Sequence, residues 1–316
     1  MTDLKVFRRN AGGREVELRG STVTRERDLQ RRVEEALEAM LGVRLLASEY
    51  PTGPWHQGRI DTLGLDENDT PVVIEFKRGR DAGVITQATS YLVWLTAHRH
   101  EFEALVCRQL GSEAAEAVDW RRPRVICVAG EFSRHDRAAA SLHQRDRRVD
   151  LVRYRLFGPD LLTLQLVETV PGFAGSAQSA PSVPTEPVVE VDRTPEGAGA
   201  PANEQVAVPE CLRELYRELD EALTAAGELE VVPLKHYIAY KRLLNVASVI
   251  FRSSPSHRAI LLYLRLDPDT VELEEGFTRN VRNKGHLGTG DLEVRIASSE
   301  DVEKAVPLIR RAVEES

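Results

Sequence analysis

The stretch from Gly58 to Arg78 constrains the fold more than any other part of this chain. Gly58-Arg59-Ile60-Asp61-Thr62-Leu63-Gly64-Leu65 alternates or runs apolar. Asp66-Glu67-Asn68-Asp69-Thr70 is turn chemistry, and Pro71-Val72-Val73-Ile74-Glu75-Phe76-Lys77-Arg78 is apolar again. Two such runs around a polar turn predict a β-hairpin. Side chains alternate between faces along a strand, so Glu75 and Lys77 share one face and Ile74 and Phe76 the other. Charged groups on an otherwise buried strand are costly unless they pair or bind a cation.

Asp61, on the first strand, comes close to Glu75 when the hairpin closes. Two carboxylates at that distance repel, and a hard divalent cation such as Mg2+ or Mn2+ relieves the repulsion through oxygen ligands. A cation held by Asp61 and Glu75 lowers the pKa of its water and polarises a phosphoryl oxygen, as phosphodiester hydrolysis requires. Lys77 is then placed to orient or deprotonate that water and to hold developing negative charge. The competing reading is a buried Asp61–Lys77 ion pair without chemistry.

With its flanking segments, the hairpin resembles the Asp … Glu-x-Lys signature of the PD-(D/E)xK, or restriction-endonuclease-like, nuclease superfamily. A Glu-rich helix precedes it, from Arg25 to Leu41. A second helix follows, opening with Gln87 and carrying Tyr91 one turn on, in Val84-Ile85-Thr86-Gln87-Ala88-Thr89-Ser90-Tyr91-Leu92. The order Glu, Asp, Glu-x-Lys, Gln is similar to the NucS-type and RecB-like branch, as is Leu45-Leu46-Ala47-Ser48-Glu49-Tyr50. The resemblance covers residues 20–170. It implies an α/β fold with a mixed sheet flanked by helices, and Mg2+-dependent hydrolysis of DNA in repair or in defence against foreign DNA. Many nucleases of this fold cut duplexes as dimers, so a homodimer is one expected state.

The helix offers two glutamates. On a helical wheel Leu29, Val33, Ala36, Leu37, Met40 and Leu41 form one stripe. Glu34 lies at its edge and Glu35 points away, which makes Glu34 the candidate third metal ligand. The alternative is that both are solvated, pairing with Arg31 or Arg32 at helical spacing. Gln87, on a first helical turn, is placed to contact a phosphate or a catalytic water; otherwise it faces solvent. Arg78 and Arg80 directly follow the catalytic strand and are candidates for the nucleic-acid backbone, with Tyr91 as a stacking candidate or a core residue.

The net charge of −8 is unevenly spread: residues 1–170 balance in sign, and both later parts are acidic. Nucleic-acid binding needs a basic face rather than a basic protein. The three cysteines, Cys107, Cys127 and Cys211, form no C-x-x-C pair, which argues against a zinc site or a disulfide framework. The N-terminus shows no signal-peptide pattern and no apolar run is long enough to cross a membrane, so a cytoplasmic protein is expected.

Three parts follow along the chain. Residues 1–170 form the nuclease-like domain, with an opening hairpin over 4–19, a long helical stretch over 82–110, and strands over 124–129, 149–156 and 161–169. Residues 171–208, rich in Pro, Gly, Ala and Ser without a period, read as a flexible linker that leaves the flanking domains independent. Residues 209–316 read as a small α+β domain, similar to a domain of unassigned function often fused to such nucleases. Within it the Gly-rich stretch 277–291 carries Arg279, Arg282 and Lys284, candidates for gripping a phosphate backbone. The leading functional reading is a metal-dependent deoxyribonuclease. Its alternative is a catalytically inactive DNA-binding or interaction protein on a nuclease fold, and nothing in the residues excludes RNA as substrate.

Overall fold

A computed structural model describes residues 4–80, 83–143, 148–167, 206–284 and 288–316. The fold is α/β, with three sheets among the described residues. β1 (Val6–Arg9) and β2 (Glu15–Leu18) form the expected opening hairpin as a separate two-stranded sheet. The first domain continues through β3 (Gly20–Ser21), α1 (Glu26–Glu34), α2 (Leu37–Leu41), β4 (Val43–Pro51) and α3 (Gly53–His56). Then come β5 (Arg59–Asp66), β6 (Pro71–Lys77), α4 (Val84–Ala97), α5 (Arg99–Leu110), α6 (Ser112–Glu116) and β7 (Arg124–Ala129). It ends with α7 (Arg134–His143), β8 (Arg148–Phe157) and β9 (Leu161–Leu166).

The seven-stranded mixed sheet runs in the order β3-β8-β7-β6-β5-β4, with β9 pairing β8. The 58–78 hairpin lies inside it: β5 and β6 are antiparallel, and β6 and β7 are parallel. Both faces are covered. Leu63, Val73, Val125 and Cys127 pack toward Ile85, Ala88 and Leu92 of α4. Val72, Ile74, Phe76 and Ile126 pack toward Leu29 and Val33 of α1. Burial on both faces explains why β6 and β7 read as apolar runs rather than alternating strands.

Two helices expected to be continuous are broken. The 25–41 helix divides at Glu35–Ala36, and the 82–110 stretch divides at His98. At the second break the His98 ring stacks on Trp94, and its Nδ1 lies 2.7 Å from the Trp94 carbonyl. A side chain bonded to the backbone in this way competes with helix continuation.

The second domain contains α8 (Arg213–Ala226), β10 (Glu230–Pro233), β11 (Ile238–Lys241), β12 (Asn245–Arg252), β13 (Ala259–Leu264), β14 (Thr278–Asn280), β15 (Leu292–Ile296) and α9 (Ser299–Glu314). Its six strands run in the order β10-β11-β12-β13-β15-β14. Leu219 and Leu223 of α8, with Ile309 and Val313 of α9, close one face. A capping box of Ser298 and Asp301 starts α9. β14, inside the Gly-rich stretch, is a strand that the sequence pattern does not announce.

The expected linker, 171–208, falls largely outside the described residues. The expectation of independent domains is corrected by the contact between them. Asp66, at the end of β5, is buried and pairs with Lys241 at 3.2 Å and Arg124 at 3.7 Å. Arg124, itself buried, also donates to Asp150 at 2.6 Å and to the Leu243 carbonyl at 2.9 Å. Asn68 and Asn245 exchange side-chain amide bonds of 2.7 and 3.2 Å. Gly42 sits in the same contact with φ +64°, where an added Cβ would lie 2.6 Å from Leu244. Burial alone would raise the Asp66 carboxyl. Lys241, Arg124 and the amides of Asn68 and Thr70 outweigh it and hold that carboxyl below its ordinary value.

Breaking a buried pair by removing one partner strands the other charge. Asp66→Ala should therefore lower the unfolding free energy of the full chain by about 3–5 kcal/mol in urea denaturation. A change under about 1 kcal/mol, the range of an exposed pair, would show that these charges are hydrated.

Candidate active site

β5 and β6 stop pairing where the acids begin. The last registered pair is Thr62 with Ile74. Beyond it, the Phe76 N–H donates to the Asp61 Oδ2 at 2.9 Å, and the Asp61 N–H approaches the Glu75 Oε1 at 3.5 Å. Each strand's backbone therefore bonds the carboxylate of the other, and the open end of the hairpin holds both acids on the α4 face. Lys77 ends the same strand, half-buried. The sequence-predicted trio of Asp61, Glu75 and Lys77 is brought together.

Glu75 is fully buried, and its Oε2 has no hydrogen-bond partner. Burial and the neighbouring Asp61 charge push its carboxyl up to about 8, against the pull of Lys77. The Asp61 carboxyl is also raised. Burial is the main cause and Glu49 adds to it, while the Phe76 amide and Lys77 oppose it. A buried carboxyl with an orphaned oxygen beside a second carboxylate is the arrangement that a divalent cation relieves.

Among the described residues no cluster of three or more His, Cys, Asp or Glu side chains is placed to hold a metal ion. Asp61 and Glu75 alone still suit Mg2+, which is often bound by one or two carboxylates and keeps several waters.

Glu34 does face inward and Glu35 outward, as the helical wheel implies. It does not join the other two acids. Thr62 points to the sheet face opposite Asp61, and its hydroxyl donates to the Glu34 Oε1. The Ser48 hydroxyl donates to the Glu34 Oε2 at 3.1 Å, and the Gln30 amide lies 3.2 Å from the Oε1. Glu34 thus anchors α1 to the back of β5 and stands apart from the proposed ligands. Gln30, buried, also donates to the Asp61 carbonyl at 2.7 Å. It holds the backbone at the first acid, a role hidden in the sequence because the wheel scores only apolar residues.

Glu49 is a second missed residue. It lies on β4 between the Ser48–Thr62 and Tyr50–Ile60 pairs, opposite Asp61. Its φ of +55° is in the left-handed region that non-glycine residues rarely adopt. Arg59 pairs with its carboxylate at 2.5 Å. Such strain persists where the surroundings impose it, and it clusters at functional sites.

Gln87 lies on the first turn of α4, where its amide donates to the Tyr91 hydroxyl at 3.3 Å. Tyr91 is a core residue: its ring is buried, and its hydroxyl accepts from the Arg59 N–H at 3.2 Å. A buried ring has no face to offer a base, so stacking is withdrawn. Gly58 is required beneath that ring, because a Cβ there would lie 2.5 Å from it. His56 bridges the Thr52 hydroxyl at 3.1 Å and the Ser90 hydroxyl at 2.8 Å beside Tyr91.

Arg78 and Arg80 are exposed on the chain leaving β6. In the second domain, Arg282 is tied to Asp267, to Asp269 at 2.8 Å and to Asp291 at 3.2 Å. Arg279 pairs with Glu293 at 2.8 Å. These two guanidiniums are neutralised in place, which counts against their expected grip on phosphate. Lys284 is exposed on the turn after β14.

No family model matches this chain, and no solved structure matches it. An uncharacterized protein of Haemophilus influenzae (strain ATCC 51907 / DSM 11121 / KW20 / Rd) is 26% identical over 294 residues, covering 92% of this chain and 93% of that protein. The similarity therefore runs through both domains. No helix among the described residues is long and apolar enough to cross a membrane.

The raised carboxyls fix a sign. Each favours folding only while it stays protonated, so metal-free stability should fall as pH rises from the ordinary Glu value of 4.5 through about 8. Glu75→Gln should flatten that fall in melting scans with EDTA, and added Mg2+ should flatten it in the wild type. An unchanged pH slope in Glu75→Gln would remove the buried acid as its cause.

Proposed function

We propose that this chain is a divalent-cation-dependent nuclease of the PD-(D/E)xK type that hydrolyses phosphodiester bonds in DNA. The observation that carries the reading is the convergence of Asp61, Glu75 and Lys77 at the splayed end of one hairpin, with a buried Glu75 oxygen left unpartnered. Asp61 and Glu75 would hold Mg2+ or Mn2+, which supplies Lewis-acid polarisation of the phosphoryl group and activation of water at neutral pH. Glu75 gives up its proton when both carboxylates serve as ligands, so cation binding strengthens with pH.

Lys77 stands beside both acids, where its ammonium orients the attacking water and balances charge gathering on the phosphate. Gln87 presents its amide from the first turn of α4 on the same face of the sheet. Exposed Arg78 and Arg80 extend positive charge from the catalytic strand along the substrate backbone. DNA repair or defence against foreign DNA, in the cytoplasm, is the setting that the superfamily resemblance supports.

One observation favours the alternative of a catalytically inactive DNA-binding or interaction protein. Glu34, the expected third acid, is engaged by Thr62, Ser48 and Gln30. The intact trio outweighs it, because two neighbouring buried carboxyl groups are costlier than an apolar pair unless they bind a cation.

Incubation with single-stranded, duplex and branched DNA and with RNA, plus Mg2+ or Mn2+, tests the proposal. Cleavage should need the cation and vanish in Asp61→Ala and Glu75→Ala. Activity in Asp61→Ala comparable to wild type would end the nuclease reading.

Lys77→Ala should slow the chemical step at least ~100-fold. Cation binding by calorimetry should persist in that variant. Normal cleavage by Lys77→Ala would place the proton handling elsewhere.

A further inference from the structure

The contact between the domains falls on one element, the turn of the hairpin that carries the catalytic acids. Asp66 takes Lys241 at 3.2 Å. Glu67 takes the Arg265 guanidinium and, at 2.8 Å, the Asn245 N–H. Asn68 exchanges two amide bonds with Asn245 and accepts from the Tyr237 hydroxyl at 3.0 Å. Three consecutive turn residues are each gripped by the second domain.

The grip reaches across the sheet. The Asp66 Oδ2 that meets Lys241 also faces Arg124, the first residue of β7, and Arg124 in turn binds Asp150 on β8. The end of β5 is thereby tied to β7 and β8 across the intervening β6. The Oδ1 of the same carboxylate accepts the Asn68 and Thr70 amides and fixes the turn itself.

This matters because β5 is the less regularly held strand of the hairpin. β6 runs in unbroken register with β7 from Val72 to Lys77. β5 pairs β4 through a register shift between Leu45 and Ala47, and Glu49 leaves the extended conformation opposite Asp61. The β5–β6 ladder ends before the acids. The offset between the two strands sets the Asp61–Glu75 separation, and the turn fixes that offset from roughly 17 Å away, five residues at ~3.3 Å each.

We propose that the second domain is a clamp on the catalytic hairpin, with Lys241, Asn245 and Arg265 as positioning residues for the Asp61–Glu75 pair. The carboxylates on Arg282 and Arg279 agree with a domain built for this contact rather than for holding phosphate. The catalytic consequence rests on the nuclease reading. The mechanical one does not.

Full-length Asn245→Ala and Lys241→Met test the clamp, with Arg217→Ala as a control in the same domain, where Arg217 pairs with Glu214 and Glu221 of its own helix α8. Misplacement of reacting groups by a fraction of an ångström is a kcat effect. Asn245→Ala should lower kcat about tenfold or more and leave KM for DNA within about twofold. It should also speed amide hydrogen exchange across 59–77. Asn68→Ala should match it, and the double variant should lose little more, because the two amides serve each other.

A raised KM with unchanged kcat would overturn the clamp in favour of a DNA-holding domain. Should the wild type cleave nothing, the nuclease reading fails, yet the exchange experiment still decides: unchanged exchange over 59–77 in Asn245→Ala overturns the clamp. If Lys241→Met fails to fold, the neutral Asn245→Ala carries the test.

Discussion

One hairpin carries a buried carboxylate at each end, and the two are treated oppositely. At the turn, Asp66 meets Lys241, Arg124 and two backbone amides, which drive its carboxyl down despite complete burial. At the open end, Glu75 meets another acid and an apolar sheet, which drive its carboxyl up. Desolvation is common to both, so the partners decide the sign. A compensated buried charge joins parts of a molecule. An uncompensated one is a cost that persists where binding or chemistry repays it. The rest of the structure serves this contrast: α1 and Gln30 hold β5 from behind, α4 packs on the sheet beside the acids, and the second domain grips the turn.

The domains are accordingly less separable than their sequences suggest. Asp66 and Lys241 are both buried in the contact, and Lys241 is the main counter-charge of Asp66. A two-domain chain with a Pro-, Gly- and Ala-rich stretch in between would ordinarily bring a tethered recognition module to mind. Here the contact is made of charge-assisted bonds and reciprocal amides, which require fixed geometry.

Much of the first domain was legible because its signals are local. The hairpin follows from two apolar runs around a polar turn, and the inward face of Glu34 follows from the phase of Leu29 and Val33. The site was legible to the extent that it lies within one hairpin. What escaped depended on distant partners. Glu49 reads as an ordinary strand residue until its place opposite Asp61 and its positive φ are seen. Asp66 reads as turn chemistry, which it is, but nothing near it announces Lys241 some 175 positions away. Arg282 reads as a phosphate ligand because three carboxylates from two segments, Asp267 with Asp269 and Asp291, converge on it only after folding. Tyr91 is equally able to stack or pack when taken by spacing alone, and the close approach of Gly58 decides for packing.

The central claim is that Asp61 and Glu75 form a cation site which holds a proton while it is empty. Calorimetric titration of Mn2+ at pH 7, repeated in buffers of different ionisation enthalpy, measures that directly. Release of close to one proton per bound cation is expected in the wild type, with release lost in Glu75→Gln. Cation binding without proton release, or no binding to the folded protein, would contradict it.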